Sequence, residues 1–270
     1  MDYFFGLYLL DEGIVDQEQI HQAVLLTEKE NRKIGELALD AKYISKKEID
    51  KIRIEQRLKR KLFGETAVEL GFLTDAQVIG LIAKQASLNT SMGDALLELS
   101  FITKEQLQES LKTYKRKQRE TVDSLKQQVS SDEVIPFIID YLPALVLQVA
   151  NVHSKVEKID SWEPFSHHDL KVSIRLEGKT SFTIAMDVSM PLARQVAKGM
   201  FEMEEITDEM AIDVIKEILN LLAGGVNEHY ETLGWDYAIG LPEQNNLPST
   251  GLCCQVATSS GNGLLIFSRS

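Results

Sequence analysis

The chain has 270 residues, 44% hydrophobic and 26% charged, a balance that suits one large or two ordinary soluble domains and argues against overall disorder. Lys and Arg total 29 against 41 Asp and Glu; residues 1–126 carry 20 basic and 21 acidic side chains, residues 127–270 nine and 20. The acidic second half lacks the basic footprint of a nucleic-acid binder, and the asymmetry points to two units with different partners. No apolar run nears the roughly 20 residues that cross a bilayer, and Asp2 stands where a secretory signal carries basic residues, so membrane insertion is not expected. The two cysteines, Cys253 and Cys254, are neighbours and cannot build a disulfide framework, which suits a reducing, cytoplasmic setting.

The first half is built on a repeat. Gly6, Gly35, Gly64 and Gly93 are each 29 residues apart. Seven residues after each stands Gly13, Lys42, Gly71 or Ser100, then an apolar pair, then a capping residue: Asp16, Ser45, Thr74 or Thr103. Three places later comes Gln19, Glu48, Gln77 or Gln106, the spacing of a capping box, in which each side chain satisfies the other residue's free amide. Each unit therefore reads as a short helix, a tight turn and a longer helix. One such unit cannot bury its apolar face alone, so the four must stack into one or two small helical modules over residues 1–122.

This repeat resembles the helical N-terminal domains of type II secretion and type IV pilus ATPases. Part of that family binds cyclic-di-GMP through paired 24-residue motifs that begin Arg-Leu-Gly and end in Gln. Here the Arg position holds Phe4, Lys33, Leu62 and Ser91, and the terminal position Thr27, Gln56, Gln85 and Tyr114. No guanidinium is supplied to hold phosphate and stack on a base. The favoured reading is a protein-docking module for secretion, pilus or chemotaxis machinery; cyclic-di-GMP binding through Lys33, Gln56 and Gln85 is the alternative. The basic clusters Arg57, Lys59, Arg60, Lys61 and Lys115, Arg116, Lys117, Arg119 read as solvated helix ends.

Residues 123–132 are polar and predicted as a linker, with Ser131 or Asp132 capping the next helix. Residues 133–270 predict an α+β domain. An apolar helix spans Glu133–Ala150, with Pro136 harmless in its first turn and Pro143 expected to kink or divide it. Strands follow over Val152–Ile159, Leu170–Leu176 and Ser181–Val188, the last two a hairpin about Glu177-Gly178-Lys179. A helix then runs from Ser189 to Met200 and a long one from about Thr207 to Leu233. Strands Trp235–Leu241, Leu252–Thr258 and Leu264–Ser268 complete the chain, with Gly261-Asn262-Gly263 as the last turn. The whole is an antiparallel sheet covered by helices, whose edges could pair two subunits.

The long helix is apolar around most of its circumference. The exception is a row of Asp213, Glu217, Asn220 and Gly224, flanked by Lys216 and Asn227, which spacings of four, three and four align on one side. Any helix that covers a sheet shows a polar side to water, so spacing alone does not separate solvated surface from catalysis. The pattern Asp213-x-x-x-Glu217-x-x-Asn220, followed after 21 residues by Pro242, resembles the signature of the CheC/CheX/FliY chemotaxis phosphatases. That signature is Asp or Ser, three residues, Glu, two residues, Asn, about 22 residues, Pro. The single motif copy and the strand-hairpin-helix order resemble CheX. The resemblance implies dephosphorylation of a CheY-type response regulator, with Asn220 holding the attacking water, Glu217 pairing with the partner's Lys, and Asp213, Gly224 and Pro242 in support. It implies Mg²⁺ on the receiver and no metal or cofactor in this chain.

The other candidates are weaker. His167-His168 lacks the companion ligands of a zinc site. Adjacent Cys253 and Cys254 in a strand point to opposite faces. A signalling adaptor of the same fold that binds a receiver or assembly partner without hydrolysis remains the alternative function.

Overall fold

The computed structural model describes residues 3–59, 62–88, 90–164, 168–178, 180–201, 203 and 205–269. The side chains of Arg57 and Lys59, and Arg60, Lys61, His167 and Lys179 whole, fall outside the description, and with them the first basic cluster, half of the His pair and the end of the hairpin turn. Two compact units divide the chain, Met1–Lys117 with Phe201–Met203 and Gln118–Met200 with Glu204–Ser270.

The first unit is a run of helices, short alternating with long: α1 (Tyr3–Asp11), α2 (Gln17–Glu30), α3 (Ile34–Asp40), α4 (Lys46–Lys59), α5 (Phe63–Glu69), α6 (Asp75–Leu88), α7 (Met92–Glu98) and the first part of α8 (Lys104–Gln128), whose residues from Gln118 onward belong to the second unit. Reciprocal bonds open the four longer helices. Gln19 Oε1 accepts from the Asp16 amide at 2.9 Å while Asp16 Oδ1 accepts from the Gln19 amide at 2.8 Å. Ser45 and Glu48, Thr74 and Gln77, and Thr103 and Gln106 make the same exchange. The turn before each cap passes through a left-handed residue: Gly13 (φ 66°), Lys42 (58°), Gly71 (71°) and Ser100 (58°). Glycine takes that conformation without cost; Lys and Ser do not.

These helices pair in a nested order. α3 and α4 pack on α5 and α6 around Leu37, Ile44, Ile52, Phe63, Leu73 and Leu81. α1 and α2 pack on α7, and the Phe5 and Tyr8 rings meet Tyr114 of α8 at 5.4 and 5.3 Å. The two chain crossings between the pairs are joined: Thr90 donates its amide to Asn31 Oδ1 at 2.8 Å, and Asn31 Nδ2 donates to the Thr90 carbonyl at 3.2 Å. Helix α8 continues through Gln128, so most of the stretch expected as linker is helical. Residues 121–128 contain no Pro or Gly to stop it, and Leu125 is buried.

In the second unit, α9 (Ile135–Ala150) is one unbroken helix, and Pro143 does not divide it. Asp132 Oδ1 accepts from the amides of Val134 and Ile135 at 2.8 and 3.0 Å, and its other oxygen receives Arg269. The strands are β1 (Ser154–Trp162), β2 (Leu170–Glu177), β3 (Phe182–Val188), β4 (Ala238–Ile239), β5 (Glu243–Gln244), β6 (Gly251–Thr258) and β7 (Gly261–Arg269). They form an antiparallel sheet in the order β1-β6-β7-β3-β2-β4, with β5 also beside β2. α10 (Met190–Phe201) and α11 (Asp208–Glu231) complete it. α11 packs on β2, β3 and α9, burying Ile215, Ile218, Leu219, Leu222 and Val226. Each such side chain contributes about 1.5–3 kcal/mol on leaving water.

Two strand expectations need correction. Trp235–Leu241 yields only the two residues of β4. Trp235 stacks on Tyr230 of α11 at 5.5 Å, and the Tyr237 amide donates to Asn227 Oδ1 at 2.8 Å, so this stretch is tied to the helix before it reaches the sheet. The last turn lies at Ser259–Ser260, not Gly261–Gly263. Gly261 and Gly263 pair with Thr258 and Val256 inside the ladder. Gly263 serves packing, since a β-carbon there would stand 2.9 Å from Val188 Cγ1.

Candidate active site on the long helix

Helix α11 begins at a Thr207 cap whose hydroxyl accepts from the Met210 amide at 3.2 Å. Its core face is fixed by the buried aliphatic set, so the row Asp213, Glu217, Asn220, Gly224 is held on the opposite side. Glu217 is exposed, and Asp213, Asn220 and Gly224 are half-buried. Asn220 Nδ2 donates to Glu217 Oε2 at 3.3 Å, bringing carboxylate and amide together one turn apart. That bond uses one of the amide's two N–H donors and leaves its carbonyl oxygen, the acceptor, outside it. Asp213 Oδ1 lies 3.7 Å from Lys216 Nζ, a one-turn ion pair beside Glu217.

Gly224 and Gly225, alike in sequence, differ in role. A β-carbon on Gly224 would meet nothing within 4 Å, so the row ends in open space. Gly225 faces Tyr141 of α9 and belongs to the packing. Asn227 is structural as well, through its bond to Tyr237. Its place beside the row in the sequence carries no sign of this bond, because the partner Tyr237 arrives only when the chain turns back along the helix.

Pro242 sits between β4 and β5 on the margin of the sheet, half-buried, beside Leu241, which is 86% exposed. The Gly240 amide donates to the Arg175 carbonyl at 2.8 Å and holds this segment along β2.

The remaining candidates fall elsewhere. Lys33 is exposed and lines a groove of about 280 Å³ with Glu36, Lys46, Asp50, Arg53 and Phe63. Gln85 Nε2 donates to the Arg32 carbonyl at 2.8 Å, next to Lys33. Gln56 is fully buried, and its amide donates to a backbone carbonyl. Both Gln amides therefore satisfy the protein's own backbone. Burial pushes the Cys253 thiol up to about 11 and the Cys254 thiol up to about 12, with Asp160 and Asp187 adding to the first. Among the described residues no three His, Cys, Asp or Glu side chains gather to hold a metal. His168, which the sequence offered only as half of a His pair, lies 3.5 Å from the buried Asp187 of β3, a contact that adjacency in sequence could not reveal.

Residues 171–247, which include α11, the row and Pro242, match the family model for the chemotaxis phosphatase CheX, so the C-terminal unit carries a CheX-like domain. No curated protein matches the chain. Among solved structures it is similar to CheX of Vibrio vulnificus, at 16% identity over 52% of this chain and 100% of that one, with a TM-score of 0.46. It is also similar to a CheC-like protein of a Shewanella species, at 15% identity over 49% and 94% with a TM-score of 0.44. A third is the chain from the CheX-CheY-BeF3-Mg complex of Borrelia burgdorferi, at 19% identity over 51% and 97% with a TM-score of 0.40. Among the described residues no helix is long and apolar enough to cross a membrane.

Proposed function

We propose that the C-terminal unit hydrolyses the aspartyl phosphate of a CheY-type response regulator, and that the repeated helices of the N-terminal unit dock it to a signalling, secretion or pilus assembly. The observation that carries this reading is the Glu217–Asn220 pair on the open side of α11, within the stretch that matches the CheX family. An acyl phosphate is already reactive, so the phosphatase need only place water in line and fix the geometry. In this reading the receiver supplies Mg²⁺ and a Lys. Asn220 Oδ1 accepts from the attacking water and aims it at phosphorus. Glu217 pairs with the receiver's Lys and sets the approach. Asp213 orients Lys216 beside them, and Gly224 leaves room for the receiver's backbone. Pro242 stiffens the edge segment that flanks the docking surface.

The test is the lifetime of phosphate on CheY-type receivers with and without the purified chain. Asn220→Ala should lose about a hundredfold or more of the acceleration, the scale of one positioned polar group, with the fold unchanged. A wild-type chain that alters no receiver's phosphate lifetime overturns the proposal.

One observation favours a second role, for the N-terminal unit. The groove beside Lys33 gathers Lys46 and Arg53, three cations against the two carboxylates of Glu36 and Asp50, a modest positive excess toward an anionic ligand such as cyclic-di-GMP. In this role Lys33 meets the ligand, Gln85 holds the backbone beside it through the Arg32 carbonyl, and Gln56, buried elsewhere, takes no part. Calorimetry with cyclic-di-GMP decides it, and no heat at micromolar protein removes it.

A further inference from the structure

Two contacts set the course of the chain after α11. Trp235 stacks on Tyr230 at 5.5 Å, and two residues further on the Tyr237 amide donates to Asn227 Oδ1 at 2.8 Å. The chain therefore runs back along the helix, from its C-terminal end in the direction of Asn220. Seven residues make two helical turns to within about 20°, so Asn220 and Asn227 share one side of α11. It is the side that the returning chain follows.

β4 then joins the margin of the sheet, with Ile239 opposite Leu176 of β2. Leu176, Ile174 and Val172 make the buried face of β2, and α11 packs on that strand. Alternation puts Ile239 and Leu241 on this helix-covered face of the sheet. Yet Ile239 is 39% exposed, and Leu241, at 86%, is the most exposed large hydrophobic side chain among the described residues. A single exposed leucine is ordinary on a protein surface. This one differs in being held. Before it, the Gly240 amide donates to the Arg175 carbonyl at 2.8 Å; after it, the Asn245 amide donates to the Lys171 carbonyl at 3.1 Å, and Pro242 fixes the backbone angle next to it. Gly178 lets the segment approach, since a β-carbon there would stand 2.5 Å from the Asp236 carbonyl oxygen.

We infer that Leu241, with Ile239 beside it, is an apolar anchor for the receiver, seated on an apolar patch next to the receiver's phosphorylated pocket when Glu217 and Asn220 enter that pocket. This role rests on the reading of α11 as the receiver-binding site. The polar row supplies chemistry and orientation but little affinity, because exposed polar and charged groups give up water contacts nearly as good as those they gain. A leucine leaving water supplies the affinity that the row lacks. A backbone already ordered by Gly240, Asn245 and Pro242 loses little freedom on docking, so more of that gain is kept.

The test is the affinity of the full chain for CheY-type receivers activated with beryllofluoride and Mg²⁺, read by titration calorimetry, beside the rate of phosphate loss from the same receivers. Leu241→Ala should weaken binding about tenfold, and Leu241→Asp by more, with the rate at saturating receiver kept. Leu241→Met should stay within about threefold of the wild type. Asn220→Ala should show the opposite split, a lost rate with affinity kept. Melting temperatures should not move with any Leu241 variant, because that side chain buries almost nothing in the free chain. A wild type that binds and hydrolyses while Leu241→Ala and Leu241→Asp bind as tightly overturns the anchor and leaves the reading of α11 standing. A wild type that binds through Leu241 without shortening the phosphate lifetime overturns hydrolysis and supports the anchor. A wild type that binds no activated receiver overturns both. A Leu241→Asp chain that loses rate at saturation with affinity kept overturns the anchor alone.

Discussion

The ring of Tyr141 on α9 fills the space that a side chain on Gly225 of α11 would need, since a β-carbon there would stand 2.3 Å from Tyr141 Cε1. Gly225→Ala is therefore expected to destabilise the C-terminal unit by about 1–3 kcal/mol, because overpacking outweighs alanine's better helix propensity. Gly224→Ala should do the reverse, by up to about 1 kcal/mol, because its β-carbon enters open space. Thermal melts of the two variants measure both signs. Gly224→Leu should keep the fold and slow receiver dephosphorylation by crowding the row.

Glu217→Gln keeps an acceptor for the Asn220 amide and removes the charge. The expected outcome is an unchanged melting temperature, a receiver concentration for half-maximal rate that rises several-fold, and a weaker response of that value to salt. Titration of the receiver at two ionic strengths reads it.

Lys42 and Ser100 occupy the left-handed position that Gly13 and Gly71 fill in the companion turns. Replacing either with Gly should stabilise the N-terminal unit by up to about 1 kcal/mol, the left-handed strain relieved less the entropy glycine adds to the unfolded chain. Gly13→Ala and Gly71→Ala should each cost about as much. Denaturant midpoints at constant slope check all four.

Burial holds the Cys253 and Cys254 thiols protonated, with pKa values of about 11 and about 12. At pH 8 both should react with a thiol reagent only as fast as the unit unfolds. Raised folded values mean that the folded state keeps these protons while the unfolded chain releases them, so the contribution is complete below the ordinary value of 9.0. It is lost as pH climbs through the folded values. Unfolding free energies at pH 8 and pH 10 should fall in that order, and a Cys253→Ser, Cys254→Ala chain should show less of the decline.

The local signals were the most readable ones. The capping partners of all four longer N-terminal helices, the hairpin of β2 and β3, and the limits of α11 follow from spacings of two to four residues, where chemistry and geometry are nearest neighbours. Non-local facts were not readable. Nothing in the segment after α11 announces that Asn227 will capture Tyr237, so seven apparently extended residues gave a strand of two. Gly263 looked like turn chemistry because the Val188 side chain that excludes a β-carbon is 75 residues away. At the candidate site the alignment of Glu217 with Asn220 was legible from helical periodicity. The division of labour between Gly224 and Gly225 was not, because it depends on where α9 lays its Tyr141.

The nested pairing in the N-terminal unit constrains how that unit can be assembled. The inner pair, α3–α4 with α5–α6, closes over a short span and can collapse as soon as its own residues are available. The outer pair must await α7 and α8, which arrive last, while α1 and α2 hold their apolar sides exposed in the meantime. During synthesis those two helices are the vulnerable part, and the Asn31–Thr90 exchange is the latch that can engage only once the inner pair has brought its two ends together.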